Sequence, residues 1–197
     1  MIGQTLELIR KEVNEYIDTK LGGTAAENRV VLTSFVDETG NIAIPSDTVG
    51  LSLLNIEEEK ILRTARMQPL QLSEQNTQLV NPPINLNLQL MFATNFTNYE
   101  ESLKHISFII SCFQSRPVFD EDNTPEMTNL ETKKLVFELN TLGLEQQHYI
   151  WSMIGLRYMP SIIFKVKMLS IDEQDVANDV PNIKSIGTDP NIKETND

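Results

Sequence analysis

The sequence predicts an α+β fold, a mixed and mostly antiparallel sheet flanked by helices. Three observations lead there. Apolar residues recur at spacings of three and four near the N-terminus and again around residues 99–113, the period of a helix with one buried face. They alternate over most of 84–93 and 161–171, the period of a half-buried strand. Helical and extended segments interleave as helix, two or three strands, loop, strand, helix, strand, helix, strand, without internal repeat. One sheet covered by helices satisfies that order. The chain has 197 residues, 40% of them hydrophobic, enough for one ordinary core.

The elements follow in order. Over residues 2–21, Ile2, Leu6, Ile9, Val13, Ile17 and Leu21 form one stripe, with Glu7, Lys11, Asn14, Glu15 and Asp18 as polar positions between them. Gly22 and Gly23 stop that helix. Residues 29–36 are β-branched and aromatic and predict a strand. Asp37–Asn41 predicts a turn, residues 42–44 a short strand and 49–56 a buried strand. Residues 62–83 are rich in Gln, Asn, Thr and Ser, are punctuated by Pro69, Pro82 and Pro83, and read as a long loop. Loops of that length in compact domains are often functional, so this one is the first candidate for partner contact. In strand 84–93, Ile84, Leu86, Leu88, Leu90 and Phe92 face the core, while Asn85, Asn87, Gln89 and Met91 give an amide-rich second face.

Thr97 and Glu100 spell a capping box for a helix whose stripe is Tyr99, Leu103, Ile106, Ile110 and Phe113, ended by Arg116-Pro117. Its second half is apolar on most sides, which suggests burial against more than one neighbour. Residues 118–133 read as an acidic loop and 134–140 as a strand with Leu135, Phe137 and Leu139 inward. Leu144–Gly155 is a short helix carrying the only tryptophan, Trp151, and 161–171 is the last strand, where Ile162, Phe164, Val166 and Met168 alternate with Lys165 and Lys167. The expected domain is therefore 1–171. Residues 172–197 carry seven acids against two lysines and read as an acidic, flexible C-terminal tail.

The formal net charge is −12. A surface that acidic repels phosphate backbones and anionic headgroups, which excludes nucleic acid as the expected partner. No run approaches the length of a membrane span, and no charged start with an apolar run marks a secretory leader. The expected place of synthesis is the cytoplasm, with no direct membrane insertion. The lone Cys112 allows no intrachain disulfide and sits among Phe108, Ile109, Ile110 and Phe113 as an apolar filler.

Reaction chemistry is sparse. Glu145-Gln-Gln-His148 matches half of a di-metal carboxylate site, but the other histidine, His105, has Ser102 where the second glutamate is needed. His105 and Cys112 share a helix face about 10 Å apart along the axis, too far for direct proton transfer. No nucleophile elbow, phosphate-binding loop or dinucleotide fingerprint is present. A metal-dependent enzyme using Glu145 and His148 is the weakest reading, and a monomeric adaptor joining other components is the second.

Four segments in order carry a resemblance. They are Leu51-Ser-Leu-Leu-Asn-Ile-Glu-Glu-Glu59; Pro83-Ile-Asn-Leu-Asn-Leu-Gln-Leu-Met-Phe92; Tyr99-Glu-Glu-Ser-Leu-Lys-His-Ile106 running to Phe113-Gln-Ser-Arg-Pro-Val-Phe119; and Trp151-Ser-Met-Ile-Gly-Leu-Arg-Tyr-Met-Pro-Ser161 followed by Phe164-Lys-Val166. Together, over roughly residues 1–171, the chain resembles the cap, or tail-terminator, proteins of contractile injection systems of the antifeeding-prophage type. The resemblance implies a phage tail-terminator-like fold and a homohexameric ring on the end of an inner tube and contractile sheath. The particle so capped is either released or membrane-anchored. It implies no cofactor, no metal and no catalysis. The candidate contacts to tube or sheath are Arg63, Arg66, Gln68 and Leu70 in the long loop, with Lys165 and Lys167 on the last strand. If a partner strand adds to this sheet, the edge of strand 161–171 is the expected place.

Overall fold

In the computed structural model the described residues are 1–23, 28–59, 68–71, 76–80, 85–130, 132–170 and 176–181. The chain forms two compact units, Met1–Arg63 with Ile84–Ile171, and Thr64–Pro83 with Asp172–Asp197.

The larger unit contains helices α1 (Ile2–Leu21), α2 (Tyr99–Ser115) and α3 (Leu144–Ile154), and strands β1 (Val30–Leu32), β2 (Thr48–Glu58), β5 (Leu86–Asn95), β6 (Val118–Asp120), β7 (Thr132–Leu139) and β8 (Ser161–Ser170). The six strands make one sheet in the order β1-β2-β5-β8-β7-β6. Only the β1–β2 pair is parallel; every other pair is antiparallel. The expected fold class is the observed one.

Period-two alternation settles which residues face the helices. Leu88, Leu90 and Phe92 of β5 and Phe164, Val166 and Met168 of β8 point to one face. There they join Ile9, Val13 and Ile17 of α1 and Ile109, Cys112 and Phe113 of α2. Met91 and Ala93 of β5 and Ile163 of β8 point to the other face and join Trp151 of α3 with Phe35, Ile44 and Met159 in a second, smaller core. Helices α1 and α2 therefore cover one side of the sheet, and α3 covers part of the opposite side.

The predicted strand 29–36 is shorter than expected. After Leu32 the chain leaves the sheet edge and turns at Asp37, whose Oδ1 accepts from the Thr39 and Asn41 amides at 2.9 and 2.8 Å. The turn brings Phe35 and Ile44 down on the second face. Gly50 makes room for them, because a Cβ there would lie 2.7 Å from Ile44 and 3.2 Å from Phe35.

Helix α1 ends as predicted, with Gly22 in the left-handed region at φ +66°. The cap of α2 stands one residue later than the capping-box reading. Asn98 Oδ1 accepts from the Glu100 amide at 2.9 Å, while the Thr97 amide donates to Asp47 at 3.2 Å. The segment read as an acidic loop over 118–133 contains β6 and a 3-10 turn at Pro125–Asn129, and its Phe119 and Met127 are completely buried.

The smaller unit holds strands β3 (Gln68–Gln71), β4 (Asn76–Val80) and β9 (Val176–Pro181), paired antiparallel in the order β3-β4-β9. Strands thus stand within 62–83, read from the sequence as a long loop, and within 172–197, read as an acidic flexible tail. The chain runs from β2 into β3, from β4 into β5 and from β8 into β9, so the order β3-β4-β9 repeats the order of the three central strands β2-β5-β8. The pairing of β4 with β9 joins segments about a hundred residues apart, and no local pattern announces it.

Candidate interaction surfaces

Four of the six candidate contact residues fall within the described residues. Arg63 and Arg66 lie outside the described residues. Gln68 and Leu70 stand on β3, opposite Val80 and Gln78 of β4. Lys165 and Lys167 are on β8, on the sheet face away from α1 and α2, where Lys165 is opposite Gln89 and Glu138, and Lys167 opposite Asn87 and Val136.

Around the two lysines the second sheet face is polar. Gln89 Nε2 and Asn55 Nδ2 both donate to Glu57 Oε1, at 3.1 and 3.0 Å. Asn87 Nδ2 donates to Glu59 at 2.9 Å. Lys167 Nζ donates to Glu138 at 2.5 Å, and that bond holds its ammonium above the usual lysine range. The amide-rich face predicted from alternation is thus a hydrogen-bonded patch of mixed charge.

The edge expected on strand 161–171 is not available, because β8 lies between β5 and β7. The sheet ends instead at β1 and β6, each three residues long. Short edge strands limit unwanted pairing. Strand β1 covers only Val49–Leu51 of the eleven-residue β2. Beyond it, the outer side of Leu53–Glu57 has no strand partner among the described residues.

Apolar surface is exposed in two places. On α2 the predicted inward stripe is partly turned outward, with Tyr99 63% and Leu103 44% exposed and Ile110 beside them. The buried face of that helix is Ser102, His105, Ile109, Cys112 and Phe113. On α3 only Trp151 is fully buried; Leu144 is 86%, Met153 69% and Tyr149 62% exposed. A cleft of about 250 Å³ opens beside α3, lined by Leu139, Leu142, Ile150 and Trp151 among others. The sequence reading missed this surface. The signal was available: Leu144, Tyr149, Ile150, Trp151, Met153 and Ile154 are too many large side chains for the inner face of an eleven-residue helix.

The residues considered for chemistry are engaged structurally. Glu145 accepts from the Tyr149 hydroxyl at 3.0 Å, and His148 Nε2 lies 3.5 Å from Ser152 Oγ. Among the described residues no group of three or more His, Cys, Asp or Glu is placed to hold a metal ion. Burial pushes the Cys112 thiol up to about 11, which keeps it protonated and poorly nucleophilic. Among the described residues no helix is long and apolar enough to cross a membrane.

His105 is buried under α2, stacked on Phe96 at 4.3 Å between ring centres. Its Nδ1 lies 2.8 Å from the Glu101 carbonyl. A carbonyl only accepts, so Nδ1 carries the proton, and the buried Nε2 has no hydrogen-bond partner among the described residues. Burial lowers the pKa below 6.5, outweighing the Glu101 carbonyl and carboxylate, which raise it; Arg29 and Lys104 lower it further. The unfolded chain has an ordinary imidazole. Below about pH 6.5 it therefore binds a proton that the folded chain does not, and stability present above that pH is lost as pH falls. Denaturant unfolding at pH 7.5 and 5.5 should show this loss, and His105→Gln should reduce it. An equal loss in both proteins would contradict the assignment.

The sheet and its helices define an α+β domain built on one mixed six-stranded sheet. The chain belongs to the Pvc16 N-terminal domain family, which it matches over residues 4–185. Its fold is that of the anti-feeding prophage cap (AFP tube terminating cap) solved by cryo-EM, with a TM-score of 0.58 at 13% identity over 92% of this chain and 60% of that one. The sheath/tube terminator of an extracellular contractile injection system, PVC, in the extended state, aligns with a TM-score of 0.48 at 15% identity, over 90% of this chain and 62% of that one. The chain thus spans about 60% of the length of each. No functionally curated protein matches it. The likeness to cap proteins of contractile injection systems read from the sequence is borne out in family and fold.

Proposed function

We propose that this chain is the structural terminator of a contractile injection system, a non-enzymatic subunit whose hexameric ring closes the end of the inner tube and stabilises the sheath. The observation that carries this reading is the fold shared with a tube-terminating cap across nearly the whole chain, within the family of the Pvc16 N-terminal domain. The physics is simple. A growing tube presents at its tip the unpaired interface that the next subunit would fill. A subunit that binds that interface and offers no copy of it above ends polymerisation.

In this reading residues 1–171 form the cap domain and 172–197 an acidic appendage. Arg63, Arg66, Gln68, Leu70, Lys165 and Lys167 are among the residues that meet tube or sheath. Assembly takes place in the cytoplasm, whether the finished particle is released or anchored. Electron microscopy of particles from producing cells that lack the chain tests the role. Tubes of uncontrolled length or unstable sheaths are expected, and particles of normal length and stability would overturn it.

A further inference from the structure

The open side of β2 begins where β1 ends, and its register settles which backbone groups face outward. The Val49 amide donates to the Arg29 carbonyl at 2.8 Å, and the Leu51 carbonyl accepts from the Thr33 amide at 3.1 Å. A strand residue turns its N–H and C=O to one side and the next residue turns them to the other, so Val49, Leu51 and Leu53 face away from β5. Between Leu53 and Asn55 the pairing with β5 shifts by one residue, and the alternation shifts with it. Past that bulge the Glu59 amide donates to the Asn85 carbonyl at 2.8 Å. Glu57 and Glu59 therefore face β5, and Ile56 faces the open side.

The sequence of this edge is of the kind that recruits strands. From Thr48 to Ile56 there is no Asp, Glu, Lys, Arg or Pro, and uncharged apolar segments without proline are the ones that stack into intermolecular sheets. Yet an outward donor within the open stretch is already taken. The Ile56 amide donates to Asn55 Oδ1 at 2.9 Å. Nδ2 of the same side chain donates to Glu57 Oε1 at 3.0 Å, and that oxygen also accepts from Gln89 Nε2 at 3.1 Å. The carboxamide is thus fixed with its oxygen toward Ile56, on the side from which another strand would approach.

We infer that Asn55 guards this edge: by occupying the Ile56 amide it keeps a strand of a second copy from pairing with Leu53–Glu57. A ladder needs donors and acceptors at every outward residue in turn. With one donor taken and a side chain across the path, the ladder breaks inside a stretch that is already short. The bulge beside Asn55 acts in the same sense, because extra local twist turns an edge away from flat pairing. The inference does not depend on the terminator reading, and its failure would leave that reading as it stands.

The test compares the full-length wild type with Asn55→Ala by sedimentation across the micromolar range and by residue-resolved amide exchange. Asn55→Ala should associate about tenfold more tightly than the wild type, the scale of a backbone hydrogen bond made available. Its Ile56 amide should exchange faster than in the wild type when dilute, and more slowly as concentration rises and a partner's carbonyl replaces water. Adding Ile56→Pro removes the outward N–H without removing a bond to β5, and should return association to the wild-type level. Circular dichroism checks folding. Where Asn55→Ala fails to fold, Asn55→Val is read in its place; where the proline variant fails to fold, the concentration dependence of Ile56 exchange decides. Association no tighter than that of the wild type, Ile56 exchange that does not change with concentration, or tighter association that survives the loss of that N–H would each overturn the guard.

Discussion

Replacing Phe113 with alanine is expected to destabilise the larger unit by about 3–5 kcal/mol, the range for removing a buried aromatic ring. Phe113 is the hub of the main core. Its ring centre lies 4.3 Å from that of Phe137 on β7, 4.7 Å from Phe164 on β8, 5.9 Å from Phe92 on β5 and 6.2 Å from Phe119 on β6. One side chain from α2 thus touches four strands. Removing it leaves a void bounded on several sides by rigid strands, so the site cannot collapse to refill it. The melting temperature should fall by roughly 10 °C for a chain of this size, and Phe113→Leu should recover more than half of the loss. A melting temperature within a degree or two of wild type for the alanine variant would show that the ring cluster is not the core's centre.

Legibility depended on whether a pattern was local. Strands β5 and β8 were readable because alternation over most of their length leaves one assignment of faces, and the same alternation placed Lys165 and Lys167 on the polar side. Helix α1 was readable from one stripe and two glycines. Helix α2 was not, because it carries two stripes at helical spacing. Tyr99, Leu103, Ile106 and Ile110 are the more apolar set, yet Ser102, His105, Ile109 and Cys112 are nearer the sheet. The small polar side chains fit there because Ser102 is compact and His105 satisfies one nitrogen on its own helix while stacking on Phe96. The outward apolar surface of α3 went unread because a sequence does not say how much sheet is left to cover. Strand β9 depends on a partner about a hundred residues earlier, and Phe119 and Met127 are buried in a segment whose acids dominate its composition. In each miss the deciding contact was distant in sequence.

The second large effect comes from a polar residue that the helical pattern placed at the surface. Asn14 is buried in α1, and its amide holds β1 by both of Val30's backbone groups. The Val30 amide donates to Asn14 Oδ1 at 2.9 Å, and Asn14 Nδ2 donates to the Val30 carbonyl and to the Arg10 carbonyl, each at 3.0 Å. A side chain on a helix here does what a neighbouring strand would do. Asn14→Leu fills the space but leaves a buried N–H and a buried C=O unsatisfied, at a cost of about 2–5 kcal/mol for the two. Asn14→Asp should not rescue it, since a carboxylate keeps the acceptor, loses the donor and brings a charge into the site. The consequence extends past stability. Strand β1 is three residues long and is what covers Val49–Leu51 of β2. Once β1 is loosened, the outer side of β2 that lacks a strand partner among the described residues extends from Leu53–Glu57 back to Val49, and a long unpaired edge recruits other chains. A protein proposed to stop a polymer would then carry a site that starts one. Amide exchange at Val30, Val31 and Leu32 should accelerate in Asn14→Leu relative to the α1 amides, and light scattering should rise with concentration. Unchanged exchange at these three residues would show that the parallel pairing with β2 suffices to hold the strand and that the asparagine is incidental.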